Sequence, residues 1–133
     1  MIDASPSKVW ELLTAPALMK GWMAETAIKI DTSWEIGSAI IISGDSDEMH
    51  FENTGTVLQF KTERVLSYNH LSSLSNLPDQ VENRSIIMFD LMGTGNQTAL
   101  TLTLNNFPTL SIYKHFEFYW SVTIEIFKKM AER

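Results

Sequence analysis

The chain has 133 residues, of which 44% are hydrophobic and 20% charged, and its formal net charge is −6. This is the composition of a folded globular chain, and we expect one domain over residues 1–133. The acidic balance argues against nucleic acid and anionic membrane as partners. No apolar run reaches the ~18–20 residues of a membrane span, and no signal-peptide pattern is present. The absence of cysteine excludes thiol chemistry and suits a reducing compartment, so we predict a cytoplasmic protein.

The first predicted elements are the end of a strand, at Met1 and Ile2, and two short helices. Ser5 followed by Pro6 is a typical helix start, because Ser caps the first turn and Pro is pre-organised for it. Residues 14–16 (Thr-Ala-Pro) end this helix. A second short helix follows and carries the apolar residues Leu18, Met19, Trp22 and Met23.

Residues 27–107 change to short alternating segments separated by turn residues, which predicts strands. The six candidates are 28–30, 38–43, 51–62, 65–71, 85–92 and 98–105. Residues 93–96 (Gly-Thr-Gly-Asn) join the last two as a hairpin turn, because Gly and Asn tolerate positive φ. In the sixth segment Leu100, Leu102 and Leu104 alternate with threonines, which is typical of an antiparallel sheet with one wet face.

The last predicted element is a long helix over residues 110–133 with a wide apolar face. The residues of that face are Tyr113, Phe116, Tyr119, Trp120, Ile124, Phe127 and Met130. No other element is long enough to cover the apolar face of the sheet. The free-energy cost of leaving several leucine side chains of that face in water would exceed the whole stability of a domain. Phe118 falls among the charged residues of the helix. It is either an isolated exposed side chain or a self-association contact.

Several short motifs resemble a known group. Residues 4–10 (Ala-Ser-Pro-Ser-Lys-Val-Trp), followed by Trp22, are similar to the opening of the START/Bet v 1-like superfamily, in the branch related to the activator of Hsp90 ATPase. The likeness continues through residues 34–37, 55–57, 87–91 and 98–104, and it ends with His115 and Trp120. Essentially the whole chain is covered.

This resemblance implies an α+β helix-grip fold: a curved antiparallel sheet of about six or seven strands wrapped around the long C-terminal helix, with two short helices after the first strand. It also implies a cavity between sheet and helix. In various branches that cavity binds lipids, hormones or polyketides; other members are cyclases, and others bind a chaperone. The resemblance therefore carries a fold and a pocket position, not a mechanism.

Three positions depart from the family pattern. The first strand, upstream of Ala4, is almost absent, so we expect a clipped or incomplete sheet edge. Ala15 stands where the family usually has Asp before Pro, which removes an N-cap oxygen. His70 stands where the family often has an aromatic residue, commonly Trp, and this change alters the chemistry of the expected pocket.

The candidate site is this pocket. His50, His70 and His115 are far apart in sequence and lack metal-ligand spacing, so we predict neither a metal nor a cofactor. The acidic run at residues 45–48 is best interpreted as a solvated loop. His70 is either a core-edge histidine bonded to a backbone carbonyl or a polar group that orients a ligand. The predicted ligand-binding residues are Trp22, Tyr68, His70, Phe89, Leu102, Phe116 and Tyr119.

The predicted function is binding of a small hydrophobic or amphipathic molecule. One alternative is an enzyme of cyclase or hydrolase type with His70 as acid/base, although no catalytic motif is recognisable and we predict no catalytic residue. Another is a chaperone-related interaction module using an outer sheet face near Met88 and Met92. A homodimer is compatible with each of these functions.

Overall fold

The computed structural model describes residues 1–24, 27–46 and 49–133 and begins with two short helices. Helix α1 covers Pro6–Thr14 and helix α2 covers Pro16–Met23. Ser5 Oγ accepts a hydrogen bond from the backbone N–H of Lys8 at 3.2 Å, so the predicted cap and the proline after it do start α1. The apolar sides of both helices are buried in the core.

Six antiparallel strands follow, each paired with its neighbours in sequence. They are β1 (Ile28–Thr32), β2 (Ala39–Ser46), β3 (Met49–Lys61), β4 (Val65–Ser72), β5 (Ser85–Thr94) and β6 (Gln97–Asn105). All six predicted strands are confirmed, with ends that shift by a few residues. Two short turns of 3₁₀ helix, Ser73–Ser75 and Val81–Asn83, lie between β4 and β5.

One connection is tighter than predicted. Gly95 and Asn96 alone turn the chain between β5 and β6, because Gly93 and Thr94 continue the ladder of β5. Gly95 takes a φ of 62°, a conformation that favours glycine and suits a two-residue hairpin turn. At the predicted acidic loop, residues 45 and 46 belong to the end of β2, while residues 47 and 48 lie outside the described residues.

The alternation of each strand assigns its faces. Phe89 of β5 is paired with Leu66 of β4 and with Leu102 of β6. Directly paired residues of antiparallel strands point to the same side of the sheet, so these three share one face. They belong to the apolar core between the sheet and the helices, as the alternation of β6 predicts.

Helix α3 covers Leu110–Ala131 and lies against this concave face, which confirms the helix-grip architecture. Its C-terminal half is firmly packed: Thr123, Phe127 and Ala131 are buried. Phe127 meets the ring of Trp22 from α2 edge-on, with 5.0 Å between centroids. The C-terminal half of α3 is thus fixed to the core, whereas the N-terminal half spans more open space.

The exposed residues of α3 differ in part from the prediction. The sequence predicts Tyr113 on the apolar face, but this residue is 43% exposed at the start of the helix, where its ring meets that of Phe107 edge-on. Phe118 is exposed, as predicted. It is not isolated, because Val122 and Ile126 follow at four-residue spacing and are also exposed.

The N-terminal residues add one bridge to the edge of the sheet. Ile2 and Thr98 of β6 exchange two backbone hydrogen bonds, of 2.8 and 2.9 Å. Thr98 Oγ1 also donates to the carbonyl oxygen of Ala4 at 2.9 Å. These bonds cover the start of the β6 edge, where the family resemblance implied a longer first strand.

Candidate functional site

A cavity of about 950 Å³ lies between the sheet and the N-terminal half of α3. Side chains of β1 to β5 form its floor, residues 109–120 form its roof, and the end of α2 closes one side. The exposed residues Leu74, Ser111 and His115 lie on its rim, so the cavity opens to solvent there. Its volume is within the roughly 300–1,000 Å³ of small-molecule sites.

Four of the seven predicted ligand-binding residues line this cavity: Tyr68 and His70 from β4, and Phe116 and Tyr119 from α3. Phe116 meets the His70 ring edge-on, with 5.2 Å between centroids. The Tyr119 hydroxyl donates a hydrogen bond to the backbone carbonyl oxygen of Met23, which ties α3 to the end of α2. The structure therefore brings these four side chains together, and their role in binding stays a prediction.

The other three lie behind the cavity wall. Trp22 is buried, and its indole N–H donates to the carbonyl oxygen of Leu12 at 2.9 Å. Phe89 is buried beneath Trp120, with 5.7 Å between ring centroids, and Leu102 packs against the same core. Alternation predicts which face a strand residue occupies, but not how far along the sheet a cavity extends. These residues support the wall without forming its surface.

Three ionisable side chains inside the cavity, His70, Tyr68 and Tyr119, are uncharged at neutral pH. Burial, with smaller effects of His115 and Arg84, lowers the pKa of His70 from 6.5 to about 4. Burial raises the pKa of Tyr68, and Tyr119 adds to that rise. Burial also raises the pKa of Tyr119. The imidazole is therefore neutral and both phenols keep their protons.

The sequence prediction missed several polar side chains that also line the cavity, among them three that belong to strands: Asn53, Ser72 and Ser85. Each lies two residues from another cavity-lining residue of its strand and therefore points to the same side. Asn53 follows Phe51 on β3, Ser72 follows His70 on β4, and Ser85 precedes Ile87 on β5. A polar residue in phase with an apolar face was the available signal. The predicted strands 51–62 and 85–92 already contain Asn53 and Ser85, but strand alternation does not show how far along the sheet the cavity extends.

The arrangement suits ligand binding better than proton transfer. A general base works best with a pKa near the working pH, and a pKa of about 4 makes the His70 imidazole a weak base at neutral pH. Within the described ranges, no group of three His, Asp or Glu side chains could hold a metal ion. Nor is any helix of those ranges long and apolar enough to cross a membrane.

A curved antiparallel sheet that holds a long C-terminal helix across a cavity defines a helix-grip protein of the START/Bet v 1-like kind. The sequence pattern of the family described as Activator of Hsp90 ATPase homolog 1-like protein matches residues 3–132, and the chain belongs to this family. The predicted resemblance is thereby confirmed. Family membership supports a ligand-binding or interaction module. Among curated proteins, none matches the sequence.

Solved structures share the fold along nearly the whole chain. The solution structure of ChR145 from Cytophaga hutchinsonii is 32% identical with a TM-score of 0.81, and the match covers 97% of this chain and 87% of that one. MLL2253 from Mesorhizobium loti is 25% identical with a TM-score of 0.75, covering 97% and 90%. The Aha1 dimer from Colwellia psychrerythraea is 22% identical with a TM-score of 0.74, covering 98% and 90%.

Proposed function

We propose that this protein binds a small hydrophobic or amphipathic molecule in the cavity between the sheet and α3. The observation that carries the proposal is a cavity of about 950 Å³ whose walls are mainly apolar in area and carry several uncharged polar side chains. Protein interiors are otherwise packed as densely as organic crystals, so a space of this size beneath an aromatic helix is a feature to be explained. A mainly apolar molecule would gain free energy by leaving water for these walls.

The two alternatives have less support. An enzyme with His70 as acid/base would need an imidazole that changes protonation near neutral pH, which the lowered pKa of His70 opposes. An interaction module on the outer sheet face would need a broad apolar patch. Met92 is 70% exposed there, but Met88 is half-buried. Both alternatives stay predictions.

A neutral dye that fluoresces in apolar surroundings, such as Nile red, tests the binding function. Ile87 and Ile86 are neighbours on β5, and only Ile87 lines the cavity. We expect Ile87→Trp to narrow the cavity and weaken dye binding about tenfold or more, while Ile86→Trp leaves it unchanged. Circular dichroism of both variants checks that each is folded.

Comparison of Ile87→Trp with Ile86→Trp distinguishes dye binding in the cavity from dye binding elsewhere on the surface. Equal loss of dye binding in both variants, or no binding by the wild-type protein, would contradict the proposal. Native mass spectrometry of freshly purified protein adds an independent measurement. A small molecule that co-purifies with the wild-type protein and is lost in Ile87→Trp would support the cavity and give the ligand mass.

We also propose that two copies associate through the outer side of α3. Phe118, Val122 and Ile126 form an exposed apolar stripe at four-residue spacing, with exposed fractions of 73%, 48% and 37%. An antiparallel pair of α3 helices centred on Val122 would place Phe118 of one copy opposite Ile126 of the other, which makes the stripe self-complementary. A similar fold occurs as a dimer in the Aha1 structure from Colwellia psychrerythraea. Sedimentation at several concentrations measures this association.

A further inference from the structure

Besides the Tyr68 phenol, the strands that form the floor of the cavity bring four polar side chains to it: Asn53, His70, Ser72 and Ser85. Asn53 is paired with Ser72 across β3 and β4, and His70 is paired with Ser85 across β4 and β5. Paired residues share a face, and His70 and Ser72 are two residues apart on β4, so all four point to the same side. We call this set the polar row. It lies on three adjacent strands.

The polar row retains hydrogen-bonding capacity. Asn53 Oδ1 is buried and has no hydrogen-bond partner among the residues that the structure describes. Ser72 Oγ accepts the backbone N–H of Leu74 at 3.2 Å, which leaves its own O–H free to donate. A neutral imidazole at His70 supplies one donor and one acceptor. The row therefore offers both donors and acceptors to a ligand.

The cavity offers no formal charge to balance an ion. Within the described residues, no Lys, Arg, Asp or Glu side chain lines it. The guanidinium of Arg84, whose charge acts on His70, is engaged elsewhere: it donates to Asp79 Oδ1, to Asn69 Oδ1 and to the carbonyl oxygen of Thr54. His115 on α3 is exposed at the rim. An ionised ligand group seated against the polar row would leave water without meeting an opposite charge, which is strongly unfavourable.

We infer that the cavity selects an uncharged amphipathic ligand, with an apolar body and a hydroxyl or amide group that hydrogen-bonds to the polar row. The inference rests on the proposed binding function and adds the chemical class of the ligand. The apolar body would lie against Ile87, Phe116 and Trp120, which also line the cavity. The polar group would meet donors and acceptors together, which a hydroxyl or an amide satisfies and an ester, having acceptors only, does not.

A series with one chain and different head groups tests this selectivity. The probes are n-decanol, decanamide, methyl decanoate, decanoate and decylammonium, each measured by displacement of Nile red at neutral pH. We expect the alcohol and the amide to bind tightest and the ester several-fold more weakly. We expect both ions to bind about tenfold or more weakly than the alcohol.

Two variants of β3 assign the selectivity to the polar row. Asn53→Leu removes the unpaired oxygen, so we expect the ratio of alcohol affinity to ester affinity to decrease. The ester affinity and the melting temperature of this variant should stay the same or increase. Gln59→Leu, at an exposed position of the same strand, should keep the wild-type preference.

The outcomes distinguish this inference from the function on which it rests. Equal affinities of wild-type protein for all five probes, or decanoate binding as tightly as n-decanol, would overturn the inference and leave ligand binding intact. No displacement by any probe, together with no dye binding, would overturn both. A preference for alcohol that persists in Asn53→Leu would remove Asn53 from the proposed recognition.

Discussion

At the scale of single residues, His70 places a polar ring in a largely apolar wall. Its ring meets Phe116 edge-on, and its strand partner across β5 is Ser85. Burial keeps the imidazole neutral, with a pKa of about 4. A neutral ring can hydrogen-bond to a ligand without bringing charge into the cavity. This placement lowers the free energy of unfolding on acidification, because a protonated and therefore charged imidazole is unfavourable in a buried site.

We predict that His70 makes the protein sensitive to mild acid. Between its folded pKa of about 4 and its usual value of 6.5, the unfolded chain binds more protons at this residue than the folded chain. The free energy of unfolding should therefore rise with pH through this window and level off above it. The full effect is at most about 3 kcal/mol. His70→Phe should remove it, as measured by urea unfolding near both ends of the window.

His50 provides the matched control, because its ring is exposed and lies 3.2 Å from Asp45 on the surface. Both variants keep every Asp and Glu residue of the wild-type protein, so the difference between two proteins reports the substituted histidine. His50→Gln should follow the wild-type pH dependence, and His70→Phe should not. An unchanged pH dependence in His70→Phe would mean that this imidazole is protonated as easily in the folded state.

The same residues show how far a sequence predicts a site. Alternation of β4 placed Tyr68 and His70 on the inner face, and both line the cavity. Asn53 and Ser85 follow the same periodicity within the predicted strands 51–62 and 85–92, but the pattern of one strand does not show how far along it a cavity extends. What makes them part of the site is the pairing of Asn53 with Ser72 and of Ser85 with His70 across strands. Such pairing is a long-range property that the local pattern does not contain.

At the scale of elements, α1 and α2 differ in how they begin. Ser5 caps α1 through its hydroxyl, whereas Ala15 occupies the corresponding position of α2 and makes no side-chain hydrogen bond there. Both residues have extended backbone, which is the conformation of an N-cap. These boundaries were predictable because they depend on local chemistry: a serine or a break before proline is visible in the sequence itself.

We predict that an acceptor at residue 15 stabilises the protein. Ala15→Asp should raise the free energy of unfolding by about 1 kcal/mol, because its carboxylate can accept a free backbone N–H of the first turn of α2. Ser5→Ala should lower it by a similar amount through the opposite change at α1. Urea unfolding at neutral pH measures both.

Ala17→Asp separates capping from general electrostatics. This substitution adds the same charge within the first turn of α2, where it would interact favourably with the helix dipole but would not occupy the cap position. We expect a gain of a few tenths of a kcal/mol at most from a charge that only meets the dipole. A gain in Ala17→Asp equal to that in Ala15→Asp would contradict the capping explanation.

At the scale of the whole molecule, three parts of α3 have different surroundings: the two halves of its inner side and its outer side. Its C-terminal half packs on the core through Phe127 and Ala131, and its N-terminal half roofs the cavity through Phe116 and Tyr119. The helix and its apolar face were predictable from the sequence, because apolar residues that recur about every 3.6 residues lie on the same side of a helix. The outer stripe was not, because Val122 and Ile126 are aliphatic residues whose exposure depends on how the helix is turned over the sheet.

We predict that this outer stripe controls the assembly state. Phe118 is the most exposed member, and a glutamate there would bury a charge opposite Ile126 of the other copy while leaving the cavity and the core untouched. Wild-type protein should sediment as a concentration-dependent dimer of twice the chain mass, and Phe118→Glu should remain a monomer. Sedimentation velocity over a wide range of concentrations measures both.

Met92→Glu is the control for charge and for loss of an exposed apolar side chain. Met92 is 70% exposed near the end of β5, away from the stripe, so its substitution changes net charge equally without touching α3. It should keep the wild-type concentration dependence. If both variants shift the equilibrium by the same amount, then net repulsion, and not the stripe, governs association. A wild-type protein that stays monomeric at high concentration would exclude the dimer and leave the stripe as an ordinary exposed apolar surface.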